Sequence, residues 1–258
     1  MSFLSPALAV SQRILRELAQ NKRSLFFWLS FPVVVMFLSG LIFADRSGLT
    51  FPEALPFAAP ASLVGVAFFF SGVGGTVAVL VAEREQKTLQ RLLLSPLSGL
   101  AYFSGIFLAQ LAIAAGQTVF ILGLVYLCGA RLQGSWLLGL TILVLSFGIY
   151  SGMGFMGGAL VARRTQDINT LIASFGIPLL ILGGAFFPSS IFPPSLKAIA
   201  VYNPVFHMTE ALTAVWSSGQ GWQDLKSELA ILAFFWLVTW GGGAAAYNRL
   251  LNQERQGR

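Results

Sequence analysis

Residues 57–82 read FAAPASLVGVAFFFSGVGGTVAVLVA and contain no Asp, Glu, Lys or Arg. A helix needs roughly 20 predominantly apolar residues to cross about 30 Å of bilayer hydrocarbon, so this run is long enough to span a membrane. Across all 258 residues, 56% are hydrophobic and 10% are charged, whereas about 25% of the residues of an ordinary soluble domain are charged. The composition therefore excludes a soluble globular protein and predicts an integral membrane protein.

Six runs of this kind occur along the chain, and none of them contains an acidic or basic residue. They cover residues 25–44, 57–82, 100–128, 136–162, 168–187 and 229–247. A backbone that faces lipid must satisfy its own hydrogen bonds, which an α-helix does. The sequence therefore predicts an all-α membrane protein whose six spans form a single domain over residues 1–258.

Basic residues are distributed unequally between the two sides of the predicted spans. Twelve Lys and Arg residues lie on the side of both termini, and four lie on the other side. Because Lys and Arg are enriched in cytoplasmic loops, we expect a cell-membrane protein with both termini in the cytoplasm. The net charge of +6 comes from these short clusters between spans, so the lipid bilayer is the expected partner and nucleic acid is not.

The chain has no residues of its own for binding ATP or coupling to ions. It contains no G-x-x-x-x-G-K-[ST] phosphate-binding loop, and its predicted spans lack the ionisable residues that ion-coupled carriers use. Cys128 is the only cysteine and His207 the only histidine, which excludes an intramolecular disulfide and a metal site of several His or Cys ligands. We therefore expect no cofactor on this chain and an external source of energy for any transport.

The stretch from residue 188 to residue 228 is moderately apolar but is interrupted by prolines, among them Pro188 and Pro193. Proline lacks the backbone donor that a lipid-exposed helix needs, so a seventh span is the less favoured alternative. We expect two short re-entrant helices before the last span. Asn203 is predicted to be an N-cap with Pro204 at the first helical position, where this pair is preferred.

The N-terminal segment before the first span has the pattern of an amphipathic helix. A helix places its leucines and Ile14 on one face and its charged residues on the other, so we expect it to lie on the inner membrane surface. A charged segment that only sets orientation is the alternative. The apolar face consists of Leu8, Ile14, Leu15 and Leu18, and the polar face of Arg13, Arg16, Glu17 and Gln20.

The loop after the second predicted span reads EREQKTLQRLLLSP over residues 83–96. At about 100° per residue, its basic side chains form one stripe and its leucines another, so we expect a short two-faced helix that ends at Pro96. Glu83 lies four residues before Lys87, the favoured order for a helical ion pair. Glu85 falls on the leucine stripe, where a carboxylate suits docking on a protein better than contact with lipid. A helix that contacts only lipid headgroups is the alternative.

The order of residues in this loop resembles the coupling segment of ABC transporter permeases of the type 2 export family. The resemblance rests on Glu83-Arg84-Glu85, Thr88-Leu89, Leu92-Leu93 and Ser95-Pro96. A second group of residues resembles the family's proline-rich outer segment. It consists of Phe187-Pro188, Phe192-Pro193, Leu196, Asn203-Pro204, His207 and Glu210. Lys87 stands where the family usually has glycine. Together with the number and orientation of the spans, the resemblance covers nearly the whole chain.

This resemblance implies that the chain is the permease subunit of an ATP-driven exporter. ATP and Mg would be bound by a separate ATP-binding subunit, and a second permease subunit, identical or different, would complete the cargo pathway. The implied contacts with the ATP-binding subunit are Glu83, Arg84, Glu85, Thr88, Leu89, Leu92, Leu93, Ser95 and Pro96. An apolar or amphipathic cargo is the leading expectation, and a lipid-linked glycan or polysaccharide is the alternative.

A non-transporting membrane scaffold or an intramembrane protease is the distant alternative. A protease dyad would join His207 to Ser151 or Ser174, but no residues around these serines resemble a nucleophile turn.

The fourth predicted span is rich in glycine. Gly152, Gly154 and Gly157 spell G-x-G-x-x-G, but a span offers no strand-to-helix turn for a dinucleotide. Small residues spaced four apart instead let two membrane helices approach closely. We therefore expect helix packing at Gly148, Gly152, Gly154 and Gly158.

Overall fold

The computed structural model describes residues 4–88 and 98–256, and these residues contain helices and connecting turns but no β-strand. Six of the helices are long and apolar enough to cross a membrane, which confirms the all-α prediction and the number of spans. The helices are, in chain order, α1 Leu4–Gln20, α2 Lys22–Ser47, α3 Phe51–Glu85, α4 Gly99–Leu127, α5 Trp136–Val161, α6 Thr165–Leu182, α7 Pro194–Ala200, α8 Pro204–Ser218 and α9 Lys226–Gln256.

Three of the spans have bounds that differ clearly from the prediction, and one of them is the last, which was predicted to end at residue 247 and continues to Gln256. The second span begins at Phe51 because the Glu53 carboxylate accepts hydrogen bonds from the backbone N–H of Thr50 (2.8 Å) and from its hydroxyl (2.7 Å), which starts the helix before the uninterrupted apolar run. The fifth ends at Leu182. There the backbone turns at Gly184, whose φ of +78° favours glycine.

Helix α3 lies at the centre of the bundle and is the most buried of the six spans. It contains two π-helical segments, Ala61–Ala67 and Phe69–Gly75. A Cβ on Gly72 would lie 2.7 Å from Cβ of Tyr150 in α5, and one on Gly75 would lie 2.4 Å from Oε1 of Gln110 in α4. Glycine therefore allows α3 to pack directly against both neighbours.

The four glycines singled out in α5 face two different helices. A Cβ on Gly148 would lie 2.1 Å from the indole nitrogen of Trp236 in α9, and one on Gly152 would lie 2.5 Å from the carbonyl group of Thr239 in α9. On the other side, added Cβ atoms would meet α3, at 2.5 Å from the Gly72 oxygen for Gly154 and at 2.8 Å from Leu80 Cδ1 for Gly158. Helix α5 thus lies between α3 and α9 with little side-chain volume separating the backbones.

Helix α1 packs along α4 through a face that the sequence analysis did not single out. Its buried residues are Ala7, Val10, Ser11 and Ile14, whereas Leu8 is 49% exposed. Small side chains suit this contact because Ala7 and Val10 lie against Gly105, where a Cβ would come within 2.8 Å of the Ala7 carbonyl oxygen. The leucines were predicted to face the inner membrane surface, and that remains a prediction.

Helix α2 contains Pro32, and neighbouring spans bind the backbone groups on either side of it. Proline has no N–H for the carbonyl four residues earlier, which is that of Trp28. The Nε2 of Gln117 in α4 donates to the Trp28 oxygen at 3.0 Å, and the Ser62 hydroxyl in α3 donates to the Pro32 oxygen at 2.6 Å. Side chains of two other helices therefore bind the backbone of α2 on both sides of Pro32.

Gln117→Leu is expected to lower the free energy of unfolding by about 1 to 2 kcal/mol, because the Trp28 oxygen loses the donor that the buried Gln117 side chain supplies. Denaturant titration of the protein in detergent measures the change. The matched background is Pro32→Ala, in which the backbone N–H at residue 32 can bind the Trp28 oxygen. Gln117→Leu should cost clearly less there, and equal costs in the two backgrounds would contradict this role for Gln117.

Candidate functional site

The candidate coupling residues Glu83, Arg84 and Glu85 form the last turn of α3. The predicted two-faced helix over residues 83–96 therefore does not begin at Glu83, because the long helix continues to Glu85 and a turn follows at Gln86 and Lys87. The later candidates Leu89, Leu92, Leu93, Ser95 and Pro96 lie outside the described residues. Thr88, the remaining candidate, is half-buried.

Glu83 forms an ion pair with Arg13 of α1. Glu83 is only 6% exposed, and the pair lies beside a cluster of buried side chains that includes Ile14, Tyr102 and Tyr247. Burial lowers the pKa of the Arg13 guanidinium, but the hydrogen bond and charge of Glu83 outweigh burial, so the pKa is raised above its ordinary value. Arg13 is therefore charged throughout the physiological pH range.

This ion pair corrects two expectations. The predicted helical pair of Glu83 with Lys87 is wrong, because the Glu83 carboxylate binds Arg13 and Lys87 lies beyond the end of α3. The predicted position of Arg13 on the solvent face of α1 is also wrong, since its guanidinium turns towards α3. Both predictions used only residues close in sequence, whereas the contact joins residues 70 positions apart.

Arg84 binds the end of α5. Its guanidinium donates to the backbone oxygens of Ala162 at 2.8 Å and of Ala159 at 3.3 Å. Carbonyls at a helix C-terminus lack partners within the helix, and the partial negative charge there favours a cation. Arg84 therefore supplies both the hydrogen bonds and the charge that the end of α5 needs.

Glu85 binds the start of α6. Its carboxylate accepts hydrogen bonds from the backbone N–H of Thr165 at 3.0 Å and from the Thr165 hydroxyl at 2.6 Å. The carboxylate of Asp167 accepts from the N–H groups of Arg163 and Arg164 in the same region, at 2.8 and 2.9 Å. Two carboxylates thus bind the N–H groups at the start of α6, where a negative charge is favourable.

Three consecutive residues of α3 therefore contact three other helices. Glu83 binds α1, Arg84 binds the end of α5 and Glu85 binds the start of α6. We call these three residues the anchor tripeptide, and the end of the bundle where they lie the Glu83 end. The anchor tripeptide forms the beginning of residues 83–96, the segment that the sequence predicts to contact an ATP-binding subunit.

Lys87 adopts a backbone conformation that favours glycine. Its N–H donates to the Arg84 oxygen at 3.1 Å, and its φ is +55°, in the left-handed region that residues with a Cβ disfavour. A backbone requirement at this turn thus accounts for the glycine that the resembling permeases usually carry at this position.

Lys87→Gly is expected to raise the thermal unfolding midpoint slightly, because it removes about 1 kcal/mol of left-handed strain. Lys87→Val should lower the midpoint, since a β-branched residue is least tolerant of positive φ. Gln86→Gly is the matched control, because Gln86 has a φ of −80° and gains nothing from glycine. If glycine at position 87 were no better than valine, the strain would be unimportant for stability.

The opposite end of the bundle holds the other group of candidate residues, beginning with Asn203. Its Oδ1 accepts from the N–H of Val205 at 2.9 Å, and its Nδ2 donates to the Leu179 oxygen of α6 at 2.7 Å. Pro204 lies in the first turn of α8. Asn203 is therefore the predicted N-cap and also joins α8 to α6. We call this end the Asn203 end.

The histidine and the two prolines at the Asn203 end have local structural contacts. The Nε2 of His207 lies 2.8 Å from the Val201 oxygen, and among the described residues no hydrogen bond joins His207 to Ser151 or Ser174. The Pro193 oxygen accepts from the N–H of Lys197 in α7 at 3.1 Å, and the Pro188 oxygen accepts from the N–H of Ile191 at 3.1 Å. These contacts give no support to a serine–histidine dyad.

Glu210 lies beside a pocket at the Asn203 end. Its carboxylate accepts a hydrogen bond from the Ser189 hydroxyl, which joins α8 to the turn after Pro188. Glu210, Ser189 and Pro188 line a pocket of about 160 Å³ together with hydroxyl groups and two phenylalanines. The phenylalanines, Phe43 and Phe57, stack with ring centroids 5.6 Å apart.

The family described as ABC-2 type transporter has a sequence model that matches residues 7–216. The matched range contains α1 to α8 except for the ends of α1 and α8, and it includes both groups of candidate residues. No curated protein matches the chain significantly.

Proposed function

Because the chain belongs to the ABC-2 type transporter family, we propose that it forms the membrane pathway of an ATP-driven exporter for apolar or amphipathic cargo. It is a multi-pass membrane permease component and not an enzyme, and in this family ATP is bound by separate ATPase subunits. Its expected partners are such a subunit, carrying ATP and Mg, and a second permease subunit, identical or different.

Energy is proposed to enter through residues 83–96. The anchor tripeptide supports this because it links the beginning of that segment to α1, α5 and α6 through charged side chains. When the ATPase closes on the segment, the movement of the segment would be transmitted to α1, α3, α5 and α6 together. The leucines at 89, 92 and 93 would form the docking face on the ATPase.

The Glu83 end is proposed to face the cytoplasm and the Asn203 end the outside. The support is the excess of Lys and Arg in the loops and termini on the side of the Glu83 end. In this orientation α7 and α8 would form a re-entrant pair in residues 188–228, and α1 would lie at the inner membrane surface. Export would then proceed from the Glu83 end towards the Asn203 end.

Apolar or amphipathic cargo is favoured over lipid-linked glycan or polysaccharide by the lining of the grooves. One groove of about 390 Å³ is lined by Phe27, Trp28, Phe31, Pro32 and Phe70. A second, of about 230 Å³, lies between α3, α5 and α6 and is also lined mainly by apolar side chains. A glycan would need polar and stacking groups along its path, and these grooves offer few polar groups.

The coupling proposal is tested with variants of the predicted docking face. Leu89→Asp should reduce co-purification of the partner ATPase or uncouple ATP hydrolysis from export, because a carboxylate would interrupt an apolar contact. Arg91→Ala, on the predicted basic stripe, is the matched control and should behave like the parent, since an exposed charge contributes about 0 to 1 kcal/mol. Membrane abundance is measured in parallel. Normal ATPase association and export in Leu89→Asp would refute the docking face.

A further inference from the structure

A pocket at the Glu83 end brings together three arginines from different parts of the chain. Arg84 comes from the end of α3, Arg163 from the loop after α5, and Arg249 from α9. The pocket measures about 590 Å³, within the range of about 300 to 1,000 Å³ typical of ligand sites. The rest of its lining consists of Ala159, Leu160, Leu250 and Gln253.

The charges in this pocket are arranged for an anion. Arg84 is held in place by the carbonyl oxygens at the end of α5. Arg163 and Arg249 are exposed, and neither guanidinium forms an ion pair with a carboxylate among the side chains that the structure describes. The nearby Asp167 uses its carboxylate on backbone N–H groups. Guanidinium groups in such an arrangement bind phosphate through charge-assisted hydrogen bonds.

An apolar surface borders the arginines. Leu160 is 48% exposed and lines the pocket, and its neighbour Val161 is 56% exposed. Both belong to the last turn of α5, a membrane-spanning helix. The pocket thus offers a positive site for a headgroup next to an apolar strip on which an acyl chain can lie. A soluble anion would use only the first of these features.

We propose that this pocket binds the phosphate headgroup of an anionic phospholipid, with Arg84, Arg163 and Arg249 around the phosphate and an acyl chain along Leu160 and Val161. Basic pockets between membrane helices bind anionic headgroups in this way. Because the lipid joins the ends of α3, α5 and α9, it acts as an additional link between the anchor tripeptide and the last span. The proposal depends neither on the cargo nor on the ATPase.

The test uses the purified full-length chain in a neutral detergent, with binding of short-chain phosphatidylglycerol measured by native mass spectrometry. Phosphatidylglycerol should bind at least about tenfold more tightly than short-chain phosphatidylcholine. The double variant Arg163→Gln/Arg249→Gln should weaken phosphatidylglycerol binding at least about tenfold, because two of the three guanidinium groups are lost. Arg84 is left unchanged because it also caps α5.

The matched control is Arg16→Gln/Arg46→Gln, which removes two exposed arginines elsewhere and should change phosphatidylglycerol binding less than about twofold. Thermal unfolding without added lipid should be the same for both double variants and the parent. Inorganic phosphate at equal concentration should not displace the lipid.

Two results would overturn the proposal. The first is equal phosphatidylglycerol binding by the parent and by Arg163→Gln/Arg249→Gln; if ATPase co-purification were also lost in that variant, the pocket would be assigned to the partner protein. The second is displacement of the lipid by inorganic phosphate at equal concentration, which would identify a site for free phosphate.

Discussion

Glu83→Ala is expected to lower the free energy of unfolding by about 2 to 3 kcal/mol, the lower part of the range for truncating one member of a buried charge pair. The reason is that Arg13 would keep its charge in a half-buried site and would lose the closer of its two carboxylate partners, with only Glu17 at 3.6 Å left. The lower part of the range applies because the Arg13 side chain is 37% exposed and keeps some contact with water. Denaturant titration in detergent, together with membrane abundance, measures the effect.

The ion-pair explanation is separated from simple loss of packing by a rescue experiment. Arg13→Met/Glu83→Leu removes both charges and should be clearly more stable than Glu83→Ala, because replacing a buried ion pair by apolar residues is often close to neutral. Arg16→Ala, on the same helix and exposed, is the control for α1. If the double variant were as unstable as Glu83→Ala, an unpaired Arg13 charge could not be the cause.

Gly152→Val is expected to destabilise the bundle by about 3 kcal/mol, at the upper end of the usual cost of overpacking. Even the first added carbon would lie 2.5 Å from the carbonyl group of Thr239. This group belongs to the backbone of α9, so a side-chain rotation cannot relieve the conflict and the two helices must separate. We expect lower membrane abundance and a lower thermal unfolding midpoint.

Gly241→Ala is the matched control for this substitution. Gly241 lies in α9 near the same interface, but a Cβ there would have no neighbour within 4 Å. Alanine also favours a helix over glycine by about 1 kcal/mol, so Gly241→Ala should be neutral or slightly stabilising. A Gly152→Val protein as stable as the Gly241→Ala protein would mean that close contact of α5 with α9 is dispensable.

Features that depend on local sequence could be predicted, and features that depend on tertiary contacts could not. Uninterrupted apolar runs identified all six spans, and the pair Asn203 and Pro204 identified the start of α8. The early end of α6 had a signal in Gly183 and Gly184, but the apolar residues that follow concealed it. The partners of Glu83 and Glu85 had no local signal, because helical periodicity relates only residues within a few turns of each other.

The resembling permeases usually have glycine at the position of Lys87, and this glycine indicates a turn that the sequence analysis did not predict. It marks the left-handed backbone of the turn after α3. Helical spacing was nevertheless extended through Lys87, and this produced the wrong ion pair. A position where relatives favour glycine at the end of a long helix is better treated as the end of that helix.

The two π-helical segments of α3 determine the direction in which the anchor tripeptide points. Each turn with i→i+5 hydrogen bonds holds about one residue more than an α-helical turn. The side chains that follow are therefore rotated about the helix axis by about 100° relative to a regular α-helix. The side chains before residue 61 and those after residue 75 therefore point in directions that a regular α-helix would not give them. Phe51–Pro60 contacts α8, whereas Thr76–Glu85 contacts α5 and α6. The change in side-chain direction along α3 thus allows one continuous helix to pack against different neighbours at its two ends.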